Sequence, residues 1–109
     1  MKRDMNMNDW IALCHIDDIP SAGARRLEHD GRRIALFRGA DDRVFALVDR
    51  CPHKGGPLSQ GMVCGHKVTC PLHGWSVELD SGMAVAPDHG QATTLPIKVE
   101  EGRVYLGPS

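Results

Sequence analysis

The chain has 109 residues, and its 13 Lys and Arg side chains against 14 Asp and Glu give a formal net charge of −1. This length fits a single domain, and the near-neutral charge provides no general electrostatic attraction to nucleic acid or to an anionic membrane surface. No run of 18 apolar residues occurs, which excludes a membrane-spanning helix. We therefore expect neither nucleic acid nor a membrane as a partner.

Residues 1–9 are polar and follow neither a strand nor a helix period, which predicts a flexible tail before one domain over residues 10–109. No apolar segment follows the two basic residues near Met1, so a secretory signal is not expected and the protein is predicted to be cytoplasmic. In that reducing compartment, the four cysteines suit metal ligation, reactive chemistry or core packing better than disulfides.

Along the domain, short apolar runs alternate with turn signals, a pattern typical of antiparallel strands. The 12 glycines and 7 prolines favour turns, and no segment has a sustained helical period. The predicted strands are residues 10–14, 25–28, 34–38, 44–48, 63–64, 67–69, 75–79 and 83–85, followed by a hairpin in which Leu95, Ile97 and Val99 share one face before Val104 and Leu106 return. About nine short strands predict an all-β fold, an antiparallel β-sandwich or partly open barrel.

Two Gly- and Pro-rich segments follow apolar strands, CPHKGGPLSQG at 51–61 and CPLHG at 70–74. The first contains the C-x-H pair Cys51 and His53, and sixteen residues later the second contains the C-x-x-H pair Cys70 and His73. A short hairpin between them, with Gly65 at its tip, would bring both segments to the same end of the sheet. The four side chains are therefore candidate ligands of one metal centre.

A second C-x-H pair, Cys64 and His66, lies too close to Cys70 to form another ligand loop. We assign it to the tip of the predicted hairpin. Cys14 is predicted to fill the core from an early strand.

Two kinds of metal centre fit two cysteines and two histidines. A zinc ion would bind all four and make the chain a structural binding module, although zinc pairs usually keep like ligands together. A binuclear iron–sulfur cluster with two Cys on one iron and two His on the other uses mixed pairs, because each loop can then reach both irons.

The string C-P-H, sixteen residues, then C-P-L-H-G resembles a Rieske [2Fe-2S] domain, and the resemblance extends over residues 10–106, including a Pro-containing third loop at 86–88. It implies a Rieske-type fold with two cluster-binding loops at one end and Cys51, His53, Cys70 and His73 as ligands. Such a chain carries single electrons and has no complete catalytic site of its own.

The longer strings CPHKGGPLSQG, VTCPLHGW and AVAPD resemble the small subunit of the assimilatory NAD(P)H-dependent nitrite reductases. This likeness implies electron transfer during nitrate assimilation, with a large partner subunit that carries FAD, a [4Fe–4S] cluster and sirohaem and reduces nitrite to ammonium. The alternative is a stand-alone Rieske ferredoxin of an aromatic-ring dioxygenase, which shares the fold and the ligands.

High-potential Rieske proteins carry an extra cysteine in each loop, joined as a disulfide. The corresponding positions here are Gly56 and Leu72. The resemblance therefore implies a midpoint potential at the low end of the Rieske range, which runs from about −150 to +300 mV.

Overall fold

The computed structural model describes residues 10–52, 56–71, 74–85 and 90–107, so the predicted tail over residues 1–9 lies outside the described part. Ten described strands form three antiparallel sheets, none of them a closed barrel. The strands are β1 Ile11–His15, β2 Gly23–His29, β3 Arg32–Arg38, β4 Val44–Val48, β5 Met62–Cys64, β6 Lys67–Thr69, β7 Ser76–Glu78, β8 Thr94–Leu95, β9 Ile97–Glu100 and β10 Arg103–Leu106. The all-β prediction is confirmed.

Helical structure in the described ranges is limited to short 3₁₀ turns, at Ile16–Asp18 and Leu58–Gln60. None of the described helices has the length and apolar character needed to cross a bilayer.

The four-stranded sheet, in the order β2-β3-β4-β8, contributes to both hydrophobic cores. Residues of β3 and β4 alternate between its two faces, because successive side chains of a strand point in opposite directions. Phe37 and its register partner Phe45 belong to the first core, whereas Leu36 and its partner Ala46 belong to the second. Burial on both faces explains why these two strands appear in the sequence as continuous apolar runs.

The sheet β1-β10-β9 supplies the other side of the second core through Val104 and Leu106, both buried. Ile19, in the connection between β1 and β2, is fully buried in the same cluster. Arg38 secures this connection, since its guanidinium donates to the carbonyl oxygens of Ile16 and Ile19 at 3.2 and 3.0 Å.

The sheet β5-β6-β7 covers the first core with Val63, Val68 and Val77. The β5–β6 hairpin turns at Gly65, whose φ of +62° is a backbone conformation that glycine adopts without steric cost. The hairpin predicted between the two Cys/His segments is therefore confirmed.

The predicted C-terminal hairpin is correct in part. Strands β9 and β10 pair, but Leu95 lies in β8 and pairs with Ala46 of β4 instead of continuing into β9. Pro96 separates the two strands, and since proline has no N–H to give to a ladder, the chain changes sheets there. The predicted strand 83–85 contributes only the isolated bridges Val77–Ala84 and Met83–Gln91.

Candidate metal centre

Two buried thiols lie at the ends of strands from different sheets. Cys51 follows β4 by three residues, and Cys70 follows β6 directly. Each is 1% exposed, and both belong to the first hydrophobic core. All four cysteines of the chain lie in the described ranges and none is in a disulfide, so the sulfur atoms of Cys51 and Cys70 are not cross-linked to another cysteine.

The two segments that begin with these cysteines are closed in the same way. The N–H of Cys51 donates to the carbonyl oxygen of Gly56 at 2.7 Å, and the N–H of Cys70 donates to that of Trp75 at 2.6 Å. We call residues 51–56 the first ligand loop and residues 70–75 the second ligand loop. Each loop is a six-residue segment that contains one predicted cysteine ligand and one predicted histidine ligand.

The second ligand loop lies within a hairpin. Its flanking residues Thr69 and Ser76 are register partners in β6 and β7, and their hydroxyl oxygens are 3.0 Å apart in a hydrogen bond. Gly74 has a φ of +71°, which lets the chain turn back towards β7 without the strain a side chain would bring. Trp75 is half-buried against the first core, but it directly precedes β7 and does not begin it, so the predicted strand 75–79 starts one residue later than expected.

The first ligand loop leads into the 3₁₀ turn Leu58–Gln60, whose Leu58 is fully buried in the first core. Ser59 of this turn makes two hydrogen bonds to Asp49, from its N–H at 2.7 Å and from its hydroxyl at 2.6 Å. Neither Asp49 nor Ser59 is among the site residues predicted from the sequence. An acidic residue at the end of an apolar strand was the only sequence signal, because the contact joins positions ten residues apart.

A third segment approaches the first ligand loop at Gly90. A Cβ added to Gly90, which has a φ of +124°, would lie 3.0 Å from the Cβ of Pro52. The predicted third loop at 86–88 lies outside the described residues. Its flanks are joined by a hydrogen bond from the N–H of Ala84 to the carbonyl oxygen of Gly90, at 2.9 Å.

His53 and His73 lie outside the described residues. Accordingly, the described ranges contain no group of three or more His, Cys, Asp and Glu side chains arranged to hold a metal ion. The part of the donor set that is described fits an iron–sulfur cluster, because two unbridged thiols in an apolar core match the soft sulfur donors that such clusters require.

The second C-x-H pair lies at the hairpin tip, as predicted. Cys64 is exposed at the end of β5, and the ring of His66 lies 2.9 Å from a carboxylate oxygen of Asp41 in the β3–β4 turn. This hydrogen bond, with a second from the N–H of Arg43, holds the pKa of the Asp41 carboxyl below its ordinary value. The contact between His66 and Asp41 therefore joins the β5–β6 hairpin to the four-stranded sheet.

Cys14 packs against the second core, as predicted, and its burial raises the pKa of its thiol. A raised pKa leaves less reactive thiolate at neutral pH, which suits a packing residue.

A sequence model of the Rieske [2Fe-2S] domain matches residues 9–96. The chain therefore belongs to the Rieske [2Fe-2S] domain family. It is a Rieske electron-transfer domain, and membership implies a [2Fe–2S] cluster, which favours this centre over the zinc alternative.

Relatives from two kinds of electron-transfer system are similar to the chain. A 3-phenylpropionate/cinnamic acid dioxygenase ferredoxin subunit from Photorhabdus laumondii is 35% identical over 98 residues, which cover 88% of this chain and 91% of the relative. A crystal structure provisionally described as an NADH-dependent nitrite reductase small subunit from Mycobacterium tuberculosis is 25% identical, with a TM-score of 0.82 over 92% of this chain and 95% of that one.

Other relatives are much longer than this chain. A 4beta-methylsterol monooxygenase from Methylococcus capsulatus is 33% identical over 115 residues, and the chain spans only 31% of its length. Rieske domains thus occur both as small carriers and as parts of larger oxygenases.

Proposed function

We propose that Cys51 and Cys70 ligate one iron of a [2Fe–2S] cluster and that His53 and His73 ligate the other. The observation that carries this proposal is the pair of buried cysteines outside any disulfide, each 1% exposed and each at the start of a loop closed by an equivalent backbone hydrogen bond. Burial protects the two sulfur atoms from competing water, and residues 10–109 act as one cluster-binding domain.

When bound, the cluster takes up and releases one electron at a time. The chain's own residues hold it. The proline after each cysteine restricts that cysteine to extended backbone conformations, which keeps both thiols oriented before metal binding. The apolar side chains around the two thiols lower the local dielectric, so nearby charges and hydrogen bonds influence the potential strongly.

We further propose that the chain is the small subunit of an NAD(P)H-dependent nitrite reductase. The strings CPHKGGPLSQG, VTCPLHGW and AVAPD support this role, as does the likeness to the nitrite reductase small subunit across 92% of the chain. Its partner is then a large subunit with FAD, a [4Fe–4S] cluster and sirohaem, on which nitrite is reduced to ammonium.

Co-purification with the candidate large subunit tests this role. We expect a stable complex whose NAD(P)H-dependent nitrite reduction falls when the wild-type chain is replaced by Cys51→Ser, a variant that lacks the cluster. Failure of the purified wild-type chain to bind a flavin and sirohaem subunit would overturn the nitrite reductase proposal. Full activity with Cys51→Ser would overturn the role of the cluster as a relay.

A second candidate, a ferredoxin of an aromatic-ring dioxygenase, is favoured by the 35% identity to the dioxygenase ferredoxin subunit over 91% of that subunit. It predicts that the reduced chain passes electrons to an oxygenase component. Stopped-flow oxidation of the reduced chain by each partner distinguishes the two candidates, because only the physiological partner should reoxidise it rapidly at micromolar concentration.

Iron and acid-labile sulfide analysis distinguishes the cluster from zinc. We expect iron and sulfide in equal amounts, a red-brown colour and an EPR signal on reduction, whereas a zinc protein is colourless. Since Gly56 and Leu72 replace the cysteines of high-potential relatives, the midpoint should lie at the low end of the range. A midpoint above about +100 mV would contradict that expectation.

A further inference from the structure

Asp49 is the one charged residue that is buried among the residues the structure describes. Its side chain has no exposed surface, although a carboxylate loses favourable hydration when it is buried. Such a position is tolerated only when the protein replaces that hydration with hydrogen bonds or an opposite charge. The partners of Asp49 therefore indicate what its burial achieves.

Both carboxylate oxygens of Asp49 accept hydrogen bonds from Ser59. The N–H of Ser59 donates to one oxygen at 2.7 Å, and its hydroxyl donates to the other at 2.6 Å. The guanidinium of Arg26 lies 3.9 Å from the second oxygen, on a side chain that is 47% exposed. Arg26 reaches this place from β2, where its register partner is Ala35 of the first core.

The bonds between Asp49 and Ser59 join the residues on either side of the first ligand loop. Asp49 comes two residues before Cys51, and its own N–H donates to the carbonyl oxygen of Arg33 on β3 at 2.9 Å. Ser59 lies in the 3₁₀ turn where the chain returns to the core beside Leu58. The backbone of Asp49 is thus bonded to the four-stranded sheet, while its side chain is bonded to Ser59. Asp49 therefore connects the residues before and after the first ligand loop.

We propose that Asp49 is a positioning residue for the cluster: through its paired hydrogen bonds to Ser59, it fixes the first ligand loop in the geometry that holds iron. This inference rests on the proposed function, because it assigns a role towards the cluster. Asp49 acts through Ser59 and the loop and does not itself bind iron. The structure assigns Arg26 the supporting role of balancing the buried charge.

The test compares Asp49→Ala, Asp49→Asn and Ser59→Ala in the full chain. Alanine at position 49 removes both acceptors, whereas asparagine is isosteric, still accepts from the Ser59 N–H and can donate to its hydroxyl. Ser59→Ala removes only the hydroxyl bond. The matched control is Asp18→Ala, which also removes a carboxylate that accepts a backbone N–H in a turn, from His15 at 3.0 Å.

Two measurements are made on each variant. The first is the rate at which the cluster's visible absorbance disappears in the presence of an iron chelator. The second is hydrogen exchange of the peptide that covers residues 58–61. A hydrogen bond to a charged acceptor changes a local opening equilibrium about tenfold or more, so Asp49→Ala should accelerate both at least tenfold. We expect Ser59→Ala to be intermediate and Asp18→Ala to stay within about twofold of wild type. Asp49→Asn should lie closer to wild type than Asp49→Ala, because it keeps both hydrogen bonds and loses only the contribution of the charge.

The reduced cluster's EPR spectrum and midpoint potential provide a readout that general destabilisation would not change. Asp49→Asn should keep the wild-type line shape and raise the potential, because removing a negative charge favours the reduced cluster. Asp49→Ala should broaden the line shape through loop heterogeneity. If Asp49→Ala does not fold, the intermediate effect of Ser59→Ala on both rates decides the question.

Several outcomes would overturn this role. The first is a wild-type rate of cluster loss in Asp49→Ala or, if that variant does not fold, in Ser59→Ala. The second is an acceleration in Asp18→Ala equal to that in Asp49→Ala. The third is failure of Asp49→Asn to retain the cluster. A wild-type chain that takes up no iron overturns the proposed function, and this role with it. If the wild-type chain carries a full cluster but the variants behave as in one of these outcomes, only the role of Asp49 is overturned and the proposed function stands.

Discussion

The two ligand loops are closed by equivalent backbone hydrogen bonds, but they are attached to the rest of the protein differently. The second ligand loop joins two paired strands of one small sheet, and its flanking residues Thr69 and Ser76 are register partners. The first ligand loop leaves the four-stranded sheet and returns through a 3₁₀ turn held by Leu58 and by the Asp49–Ser59 bonds. The geometry of the second loop is thus built mainly from local pairing, and that of the first from tertiary contacts.

Because of this difference, the two loops should respond differently to substitutions elsewhere in the protein. A hairpin loop is fixed by a ladder whose partners are near in sequence, whereas a loop fixed by core packing and a buried carboxylate depends on the whole fold. We therefore expect a change at Leu58, the first-core residue beside the first ligand loop, to loosen that loop more than the second.

The largest effect should come from the two cysteines proposed as ligands, where both loops should behave alike. Cys51→Ser and Cys70→Ser should each abolish the [2Fe–2S] cluster, because a serine hydroxyl is a poor substitute for a soft thiolate. Iron, sulfide and EPR analysis measure the loss. Cys64→Ser is the matched control, since that thiol is exposed at the hairpin tip, and it should keep a full cluster. An unchanged visible spectrum in Cys51→Ser would refute its assignment as a ligand.

A core substitution tests the comparison directly. Leu58 is fully buried beside the first loop, and Leu79, 1% exposed in the same core, follows β7. Replacing either by alanine should lower the free energy of unfolding by about 2–5 kcal/mol, measured by denaturant titration. Only Leu58→Ala should speed amide exchange at Cys51 more than at Cys70. Equal acceleration at both cysteines would mean that the loops are not held independently.

Much of this arrangement could be predicted because its signals are local. Strands 44–48 and 67–69 have the predicted bounds, and Gly65 turns the hairpin between the two cysteine segments as expected. In both cases the apolar pattern and the turn residues are adjacent in sequence. The spacing of the cysteines and histidines, with the family resemblance, indicated the type of cluster for the same reason.

What the sequence did not reveal depends on contacts between distant residues. Leu95 fits the alternation of the last hairpin, yet it pairs with Ala46, about fifty residues earlier in the chain. The bonds between Asp49 and Ser59 likewise follow from how the first loop folds over the sheet. A pattern of residue types cannot distinguish such partners from the many others of the same chemistry.

The hydroxyl pair beside the second loop should have a smaller effect. Ser76→Ala removes its hydrogen bond to Thr69, which is partly buried and 3.0 Å long, and should lower the free energy of unfolding by about 0.5–1.5 kcal/mol. Because the backbone ladder remains, exchange at Cys70 should rise only slightly. The control Ser81→Ala removes an exposed hydroxyl that accepts from the N–H of Met83. A large loss of cluster in Ser76→Ala would show that this loop depends on side chains more than on its ladder.

The smallest effect concerns pH and the contact between the sheets at the hairpin tip. The hydrogen bond from His66 holds the pKa of Asp41 below its ordinary value, so the folded state binds this proton more weakly than the unfolded chain does. The resulting stabilisation is present above the ordinary carboxyl pKa of about 3.9 and is lost as the pH falls through the lowered value. In denaturant titrations between about pH 5 and 2, Asp41→Asn should therefore lose less stability than wild type, with Asp80→Asn as the exposed control. Equal slopes for Asp41→Asn and wild type would show that this contact contributes no pH-dependent stability.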